Sequence, residues 1–407
     1  MAAPKLRRCL GSLLALSLLL VPCRGARAFD VVLSAQGEFL DAYLVNGGPL
    51  PPKVVFIDPD PPAAGSLDAP PRVGRHVNGK LCFFPRGFGH PGQFVIADDT
   101  YREACVASAS PQARCRVRRR RSPLFVGQDP DGWGIFNPDG TWSRQQLRTP
   151  RRFSDPEPQG AIDPQGCAFD RKGRLWTNDV GHGGAGSTDG SLIVFFPGRD
   201  RRYRGYCFLD KKLASPGMPA IDDAGNVYVP EPGMGRILKF SPPFPSRVAD
   251  CHTPERLVGT PPEQSVFLTG AGFPASIVRV PGTDHWYVGS VIFPPRIDEY
   301  DSSGALVRNI VPALVPKNPL GMDVGSDGTL YYAELDLDPV TFDTRCGSVS
   351  MVRFGPAGDP MPPELLGRNL RFPDGVTVVD SSQLAVDVTG LPVAAEPAPA
   401  TCGGGAS

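Results

Sequence analysis

Short apolar runs, each bounded by Gly, Pro, Asp or Asn, fill most of the chain beyond residue 28. Ser191-Leu-Ile-Val-Phe-Phe196, Arg236-Ile-Leu-Lys-Phe240 and Ser348-Val-Ser-Met-Val-Arg-Phe354 are typical: too short for helices and rich in β-branched and aromatic residues, they predict strands. One pattern recurs in register. Pro164-Gln-Gly-Cys-Ala-Phe-Asp-Arg-Lys-Gly-Arg-Leu-Trp-Thr-Asn-Asp179 aligns without a gap with Pro216 to Glu231 and with Pro319 to Glu334. Weaker copies start at Pro85, Pro274 and Pro373, making six. Each copy predicts a strand, a tight turn on Gly (Gly173, Gly225, Gly328), and a second strand opening on an apolar-aromatic pair such as Leu175-Trp176. Third-strand segments follow downstream, so each copy predicts a small antiparallel sheet.

The second-strand anchors at 94, 175, 227, 286, 330 and 384 are separated by 81, 52, 59, 44 and 54 residues. That blade-sized period, broken by one insertion at about 99–130, predicts an all-β chain in which six sheets pack radially as a six-bladed β-propeller over 29–391. Phe29 to Leu40 has the strand, Gly turn, strand pattern of an outer pair, whereas the last copy runs out of such strands after Asp387. The N-terminal strands are therefore expected to complete the last blade and shield its edge.

These residues resemble the six-bladed propellers of the NHL-repeat and gluconolactonase/strictosidine-synthase-like (TolB-like) superfamily. The shared markers are Pro-x-Gly, an apolar triplet, Asp-x-x-Gly, then Leu or Val with Tyr or Trp and an acidic residue. In the gluconolactonase-like enzymes the residue between Pro and Gly faces the central channel and supplies ligands to a divalent cation, a Lewis acid for a lactone or ester carbonyl. Here that column reads Arg86, Gln165, Gly217, Ala275, Leu320 and Asp374, with Asp374 the one carboxylate. If local loops shift the inward position, Asn318, Glu157 and Asp163 converge near the axis with Asp374, making Asp374, Asn318 and Glu157 the candidate metal ligands for Ca2+, with Gln165 and Arg86 as ligand-binding residues. His182, in the Gly-rich segment Gly181 to Gly190, is the candidate general base. A simpler reading makes Asp374 and Asn318 turn residues at a strand entry.

A second column, Asp98, Asp179, Glu231 and Glu334, ends the second strands. Such acids either form a charged ring or hold the following turn by accepting backbone N–H bonds, and the second role is expected. Trp133 and Trp142 either rim a pocket or pack between blades. No serine nucleophile elbow, His-Glu-x-x-His or Walker motif is present in the sequence.

Composition narrows the functional classes. In the 407 residues, 42 Lys+Arg balance 42 Asp+Glu, which removes the electrostatic footprint of a nucleic-acid binder. Basic residues at 5, 7 and 8, an apolar run from Leu10 to Val21 and Ala26-Arg27-Ala28 predict a signal peptide over 1–28 and a secreted or periplasmic product without membrane insertion. Eight cysteines follow, an even number suited to disulfides, and Cys105 with Cys115 is the pair expected. The Arg116 to Arg121 run predicts a solvated loop, an anionic-partner patch or a proteolytic site, and the Pro/Ala/Gly-rich 392–407 predicts a disordered tail. The expectation is a monomeric binding module for a small-molecule or extracellular ligand at the channel mouth. The alternative is a metal-dependent lactonase or ester hydrolase.

Overall fold

A computed structural model describes residues 29–36, 40–46, 54–57, 73–88, 93–104, 116–118, 132–137, 142–147, 164–181, 188–200, 202–251, 258, 262–337, 347–370 and 373–380. In chain order the strands begin with β1 (Phe29–Gln36), β2 (Leu40–Asn46) and β3 (Val54–Ile57). Blade I holds β4 (Val73–Phe83), β5 (Phe94–Ala104), β6 (Arg116–Arg118), β7 (Gly132–Phe136) and β8 (Trp142–Leu147). Blade II holds β9 (Pro164–Phe169), β10 (Leu175–Asp179), β11 (Gly190–Pro197) and β12 (Tyr203–Leu213). Blade III holds β13 (Ala220–Ile221), β14 (Val227–Glu231), β15 (Arg236–Ser241) and β16 (Glu263–Thr269). Blade IV holds β17 (Pro274–Arg279), β18 (Trp286–Ser290), β19 (Arg296–Tyr300) and β20 (Leu306–Val311). Blade V holds β21 (Pro319–Val324), β22 (Leu330–Glu334), β23 (Gly347–Val352) and β24 (Glu364–Leu370), and β25 (Pro373–Asp380) follows.

The chain is thus an all-β propeller, and the sequence-based blade count needs correction. Five blades are each folded from one contiguous stretch, where six were expected. The remaining sheet has the order β25-β1-β2-β3 and draws on both ends of the described chain, with Phe29 opposite Asp380 and Leu33 opposite Val376. Blade I also departs from expectation. Its first strand is β4, upstream of Pro85, and Arg86 lies exposed in the turn between β4 and β5. Asp98 pairs with Val77 as Asp179 pairs with Pro164, so Asn78 is the register counterpart of Gln165.

Blades II and III turn on their Asp-x-x-Gly motifs. The Asp170 carboxylate accepts the backbone N–H groups of Lys172 (2.9 Å) and Arg174 (3.0 Å) and the indole Nε1–H of Trp176 (2.9 Å). Asp222 does the same for Asn226 in blade III. These carboxylates mimic the backbone acceptors that a two-strand turn lacks.

The core lies between blades. Trp176, Leu192 and Val194 of blade II meet Val227, Val229 and Leu238 of blade III, and Tyr228 of blade III meets Trp286 and Val288 of blade IV. Burial of each such side chain contributes about 1.5–3 kcal/mol. Trp133 is fully buried, edge-on to Phe195 of blade II at 5.1 Å, which settles it as a packing residue. Blades I and II are further joined by a disulfide between Cys82 on β4 and Cys167 on β9. A second disulfide, Cys207 to Cys251, pins the segment that follows β15 onto β12. Cys105 and Cys115 lie outside the described residues.

The innermost strands contact one another in succession: β4 with β9, β9 with β13, β13 with β17, β17 with β21, β21 with β25 and β25 with β4. Asp323 on β21 accepts the backbone N–H of Val378 on β25 (2.9 Å) and the Lys80 ammonium of β4 (3.3 Å), while the Thr377 hydroxyl donates to the Leu81 carbonyl (2.6 Å). β25 is thereby clasped from both sides. Replacing Asp323 with Ala leaves the Val378 N–H without its acceptor and is expected to cost about 1–3 kcal/mol in chemical denaturation. Exchange of the Val378 amide hydrogen should accelerate with it, and an unchanged exchange rate would remove the clasp from the account.

Candidate functional site

Antiparallel pairing puts the loops from second to third strand, and from each fourth strand to the next blade, at one end of the propeller with the Pro-x-Gly strand starts. At the opposite end the tight turns are solved with glycine in the left-handed region: Gly173, Gly225, Gly282, Gly304, Gly328 and Gly358. The strand-start end differs. All five non-glycine residues with positive φ among the described residues lie there: Ser215 (51°), Phe293 (67°), Leu314 (67°), Asn318 (62°) and Asp336 (46°). Asn and Asp enter this region readily, whereas Phe293 and Leu314 do so at about 1–2 kcal/mol each. Such strain collects where a fold positions groups for work, so this is the candidate working face.

A chain of hydrogen bonds fixes these loops. Ala271 N–H donates to Gly235 O (3.1 Å), Val291 N–H to Phe273 O (3.0 Å) and Leu335 N–H to Asn318 O (3.1 Å). Asn318 bridges blades IV and V: its Nδ2 donates to Val291 O (2.9 Å) and its Oδ1 accepts Leu337 N–H (3.0 Å). Both ends of the amide take part in loop structure.

The terminal acids of the second strands also serve the loops. Glu231 accepts Ala214 N–H (2.8 Å) and the Arg236 guanidinium (2.6 Å), and is 1% exposed. Glu334 accepts Lys317 N–H (3.0 Å) and the hydroxyls of Ser348 (2.7 Å) and Ser350 (2.8 Å). Asp179 accepts Gly181 N–H (2.9 Å). In blade IV Ser290 takes the acid's place, its Oγ accepting Phe273 N–H (3.0 Å) and donating to Ile292 O (2.7 Å). The column is therefore a set of loop anchors: Asp179 holds the turn that follows it, as expected, whereas Glu231 and Glu334 hold the loop that enters their blade. The Asp98 side chain lies outside the described residues.

Toward the axis, the strand starts crowd together. A Cβ on Gly79 would fall 1.3 Å from Gln165 O, one on Gly166 2.7 Å from Met218 Cα, and one on Gly217 2.2 Å from Ala275 O. Met218 N–H donates across the blade boundary to Ala275 O (2.9 Å). Around this point Met218, Ala275, Val291, Leu320 and Leu335 form an apolar collar that is itself buried core, 2–6% exposed, with Phe273, Ile292 and Leu337 half-buried against it. A hard divalent cation needs six or more oxygen ligands. Three consecutive column positions, Gly217, Ala275 and Leu320, offer no side-chain oxygen, and no cluster of three potential metal ligands occurs among the described residues. The column thus does not fit an axial calcium.

Of the predicted site residues, Gln165 is half-buried at the start of β9 and Arg86 is exposed in the turn at the opposite end, away from the column where it was expected. β25 carries Asp374 at the aligned strand start, but its side chain, like all of Glu157 and His182, lies outside the described residues. The collar residues Met218, Val291 and Leu335 and the exposed Phe293 and Leu314 were not singled out by the sequence pattern. Their signal was the apolar run continuing past the anchor position, as in Ser290-Val-Ile-Phe293 and Glu334-Leu-Asp-Leu337.

Buried phenols flank the second strands. Burial chiefly, helped by the Glu334 carboxylate, pushes the Tyr332 hydroxyl far above its ordinary range. It is therefore a neutral packing group. On the opposite face the exposed Asp223 carboxyl is held below its usual range by the Arg279 hydrogen bond first, with Arg171 adding to it, an ion-pair staple across blades II, III and IV.

No protein-family model matches the chain, and no curated protein matches it in sequence. Solved structures do. A candidate 6-phosphogluconolactonase from Bacteroides uniformis is 12% identical with a TM-score of 0.46, over 87% of this chain and 100% of that one. Virginiamycin B lyase from Staphylococcus aureus is 11% identical with a TM-score of 0.41, over 75% and 92%. A luciferin-regenerating enzyme is 15% identical with a TM-score of 0.47, over 85% and 97%. At these identities the likeness concerns the propeller fold alone.

If the acids are anchors, Glu334→Ala should destabilise the protein by about 3 kcal/mol, three donors each losing about 1 kcal/mol. Glu334→Gln, which keeps an acceptor, should cost less. Equal urea midpoints for the two variants would contradict the anchoring role.

Proposed function

We propose that this chain is a propeller-based binding module that takes a small-molecule or extracellular ligand at the face bearing the strand starts, without a resident divalent cation. The observation that carries this reading is the apolar collar set among loops whose backbone is strained on that face alone among the described residues. A face that stores strain and turns carbon toward the axis is suited to recognition by shape and dispersion. Among the described residues it shows no ring of oxygen donors of the kind a metal-assisted hydrolase needs.

In the same reading the module is monomeric, works outside the cytoplasm, and closes its ring through its first strands. The two disulfides support the compartment, since such bonds persist where thiols are oxidised. No helix among the described residues is long and apolar enough to cross a membrane. Support for ring closure is the antiparallel register of β1 with β25 and the contact of β25 with β4.

Elemental analysis of the purified protein, with melting curves in calcium and in EDTA, separates this from the lactonase alternative. We expect no bound calcium, no chelator effect, and dihydrocoumarin hydrolysis no faster than buffer. Tight calcium that disappears in Asp374→Ala, together with lactone turnover, would replace the binding reading with the hydrolase.

A further inference from the structure

We propose that the extension of blade I formed by β4, β5 and β6 docks a linear sulfated polysaccharide through Arg75, Arg102, Arg116 and Arg118. This is a second surface, separate from the collar and independent of the ligand taken there. β5 does not stop at Asp98, the register counterpart of Asp179, but runs six residues further, to Ala104. β4 lies beside it from Val73 onward, and β6 pairs along its other edge. The resulting ribbon projects about 20 Å past the level at which the inner strands begin.

Register sorts the charges of this ribbon by face. Arg102 stands directly opposite Val73 on one side and Arg118 on the other, while Arg75 is opposite Thr100 and Arg116 opposite Ala104. Opposed and alternate residues share a face, so all four arginines fall on one face, with Asp98 as its acid; Asp99 and Glu103 fall on the other. At ordinary strand spacings the arginines form a diagonal band about 17 Å long. Like charges directly opposite one another destabilise a sheet. In blades III and IV the cross-strand partner of Arg236 is Glu231 and that of Arg308 is Glu299, each pair hydrogen-bonded at 2.6 Å. Arg102 opposite Arg118 is the reverse arrangement, and a polyanion laid across the band turns it from a cost into an attraction.

The composition of the face selects the partner. Guanidinium groups grip the oxygens of sulfate and similar anions through paired N–H donors, and a band of this length matches a chain of such anions better than one small ion. Single-stranded nucleic acid is held on stacked aromatic side chains, yet Tyr101, the tyrosine of the ribbon, falls on the opposite face. Duplex DNA is drawn by a broad basic surface, whereas the charge of this chain as a whole is zero and the attraction comes from local segregation alone. An interfacial membrane contact needs large apolar residues among the basic ones; here Thr100 and Ala104 alternate with Arg102. The two disulfides agree with an oxidising compartment, where linear polyanions are mainly acidic polysaccharides.

The probe is heparin, a fluorescent fragment of which is titrated with the full-length protein over a salt series. We expect log affinity to fall linearly with log salt, and Arg102→Ser/Arg118→Ser to bind about tenfold more weakly or worse, with a salt slope lower by about two, one for each lost contact. That variant should melt no lower than the parent, because a like-charge pair has been removed. Arg199→Ser/Arg202→Ser, which deletes two exposed cations at the opposite end, should bind as the parent does. The proposal is overturned by no heparin binding, by equal affinity in parent and Arg102→Ser/Arg118→Ser, by equal losses in the two variants, or by Arg102→Ser/Arg118→Ser melting several degrees lower. A loss seen only on replacing Arg119, Arg120 and Arg121 overturns it too, since the contact then lies outside the strands. Tighter binding of duplex DNA or anionic vesicles than of heparin at equal salt replaces the polysaccharide with a nucleic acid or a membrane.

Discussion

The structure depends on how closely the innermost strands approach one another around the axis. Where Gly79, Gly166 and Gly217 face Gln165, Met218 and Ala275, there is no room for a Cβ, and Met218 donates a backbone hydrogen bond across the blade boundary. Gly79 and Gly166, at the glycine position of the signature, and Gly217, one position earlier, are thus close-approach residues as well as strand-entry ones. Blades brought this near to one another at the axis must diverge outward, and the wedges between them are filled by Trp133, Trp176 and Trp286. Ring geometry and inter-blade core are two aspects of one steric fact.

That crowding bears on chemistry. Backbone occupies the space nearest the axis, so few side chains reach it, and those that do decide what the centre can hold. In half of the column they are Gly217, Ala275 and Leu320. The carboxylates Glu231 and Glu334 instead each accept a loop N–H, and Ser290 does the same where no acid is present. Buried acids with satisfied acceptors are parts of the scaffold, and removing such a partner costs more than the bond itself contributes.

The repeat was legible because it encodes local physics: Asp170 holds its own turn, Trp176 fills its own wedge, and both sit at fixed offsets from Gly173. The first strand of blade I was not. Val77 stands where the other blades have proline, while Pro85-Arg86-Gly87, only a turn, imitates the motif eight residues later. Pairings between blades were equally opaque. Cys82 finds Cys167 across a blade boundary, and no spacing rule reaches that far. The collar escaped notice because Leu320 or Val291 reads the same in any core, and the cluster forms only when the topology brings the blade ends together.

The Cys82 to Cys167 bridge spans 85 residues and encloses the whole outer part of blade I, together with the extension where β6 pairs with β5 and the arginine run begins. A single backbone cut anywhere inside that loop leaves two polypeptides still joined by sulfur, with β4 and β9 side by side. Blade I is in this sense a covalently tethered appendix to the rest: its outer strands can be nicked without parting the N-terminal strands from blades II to V. Separation requires a reductant as well as a protease.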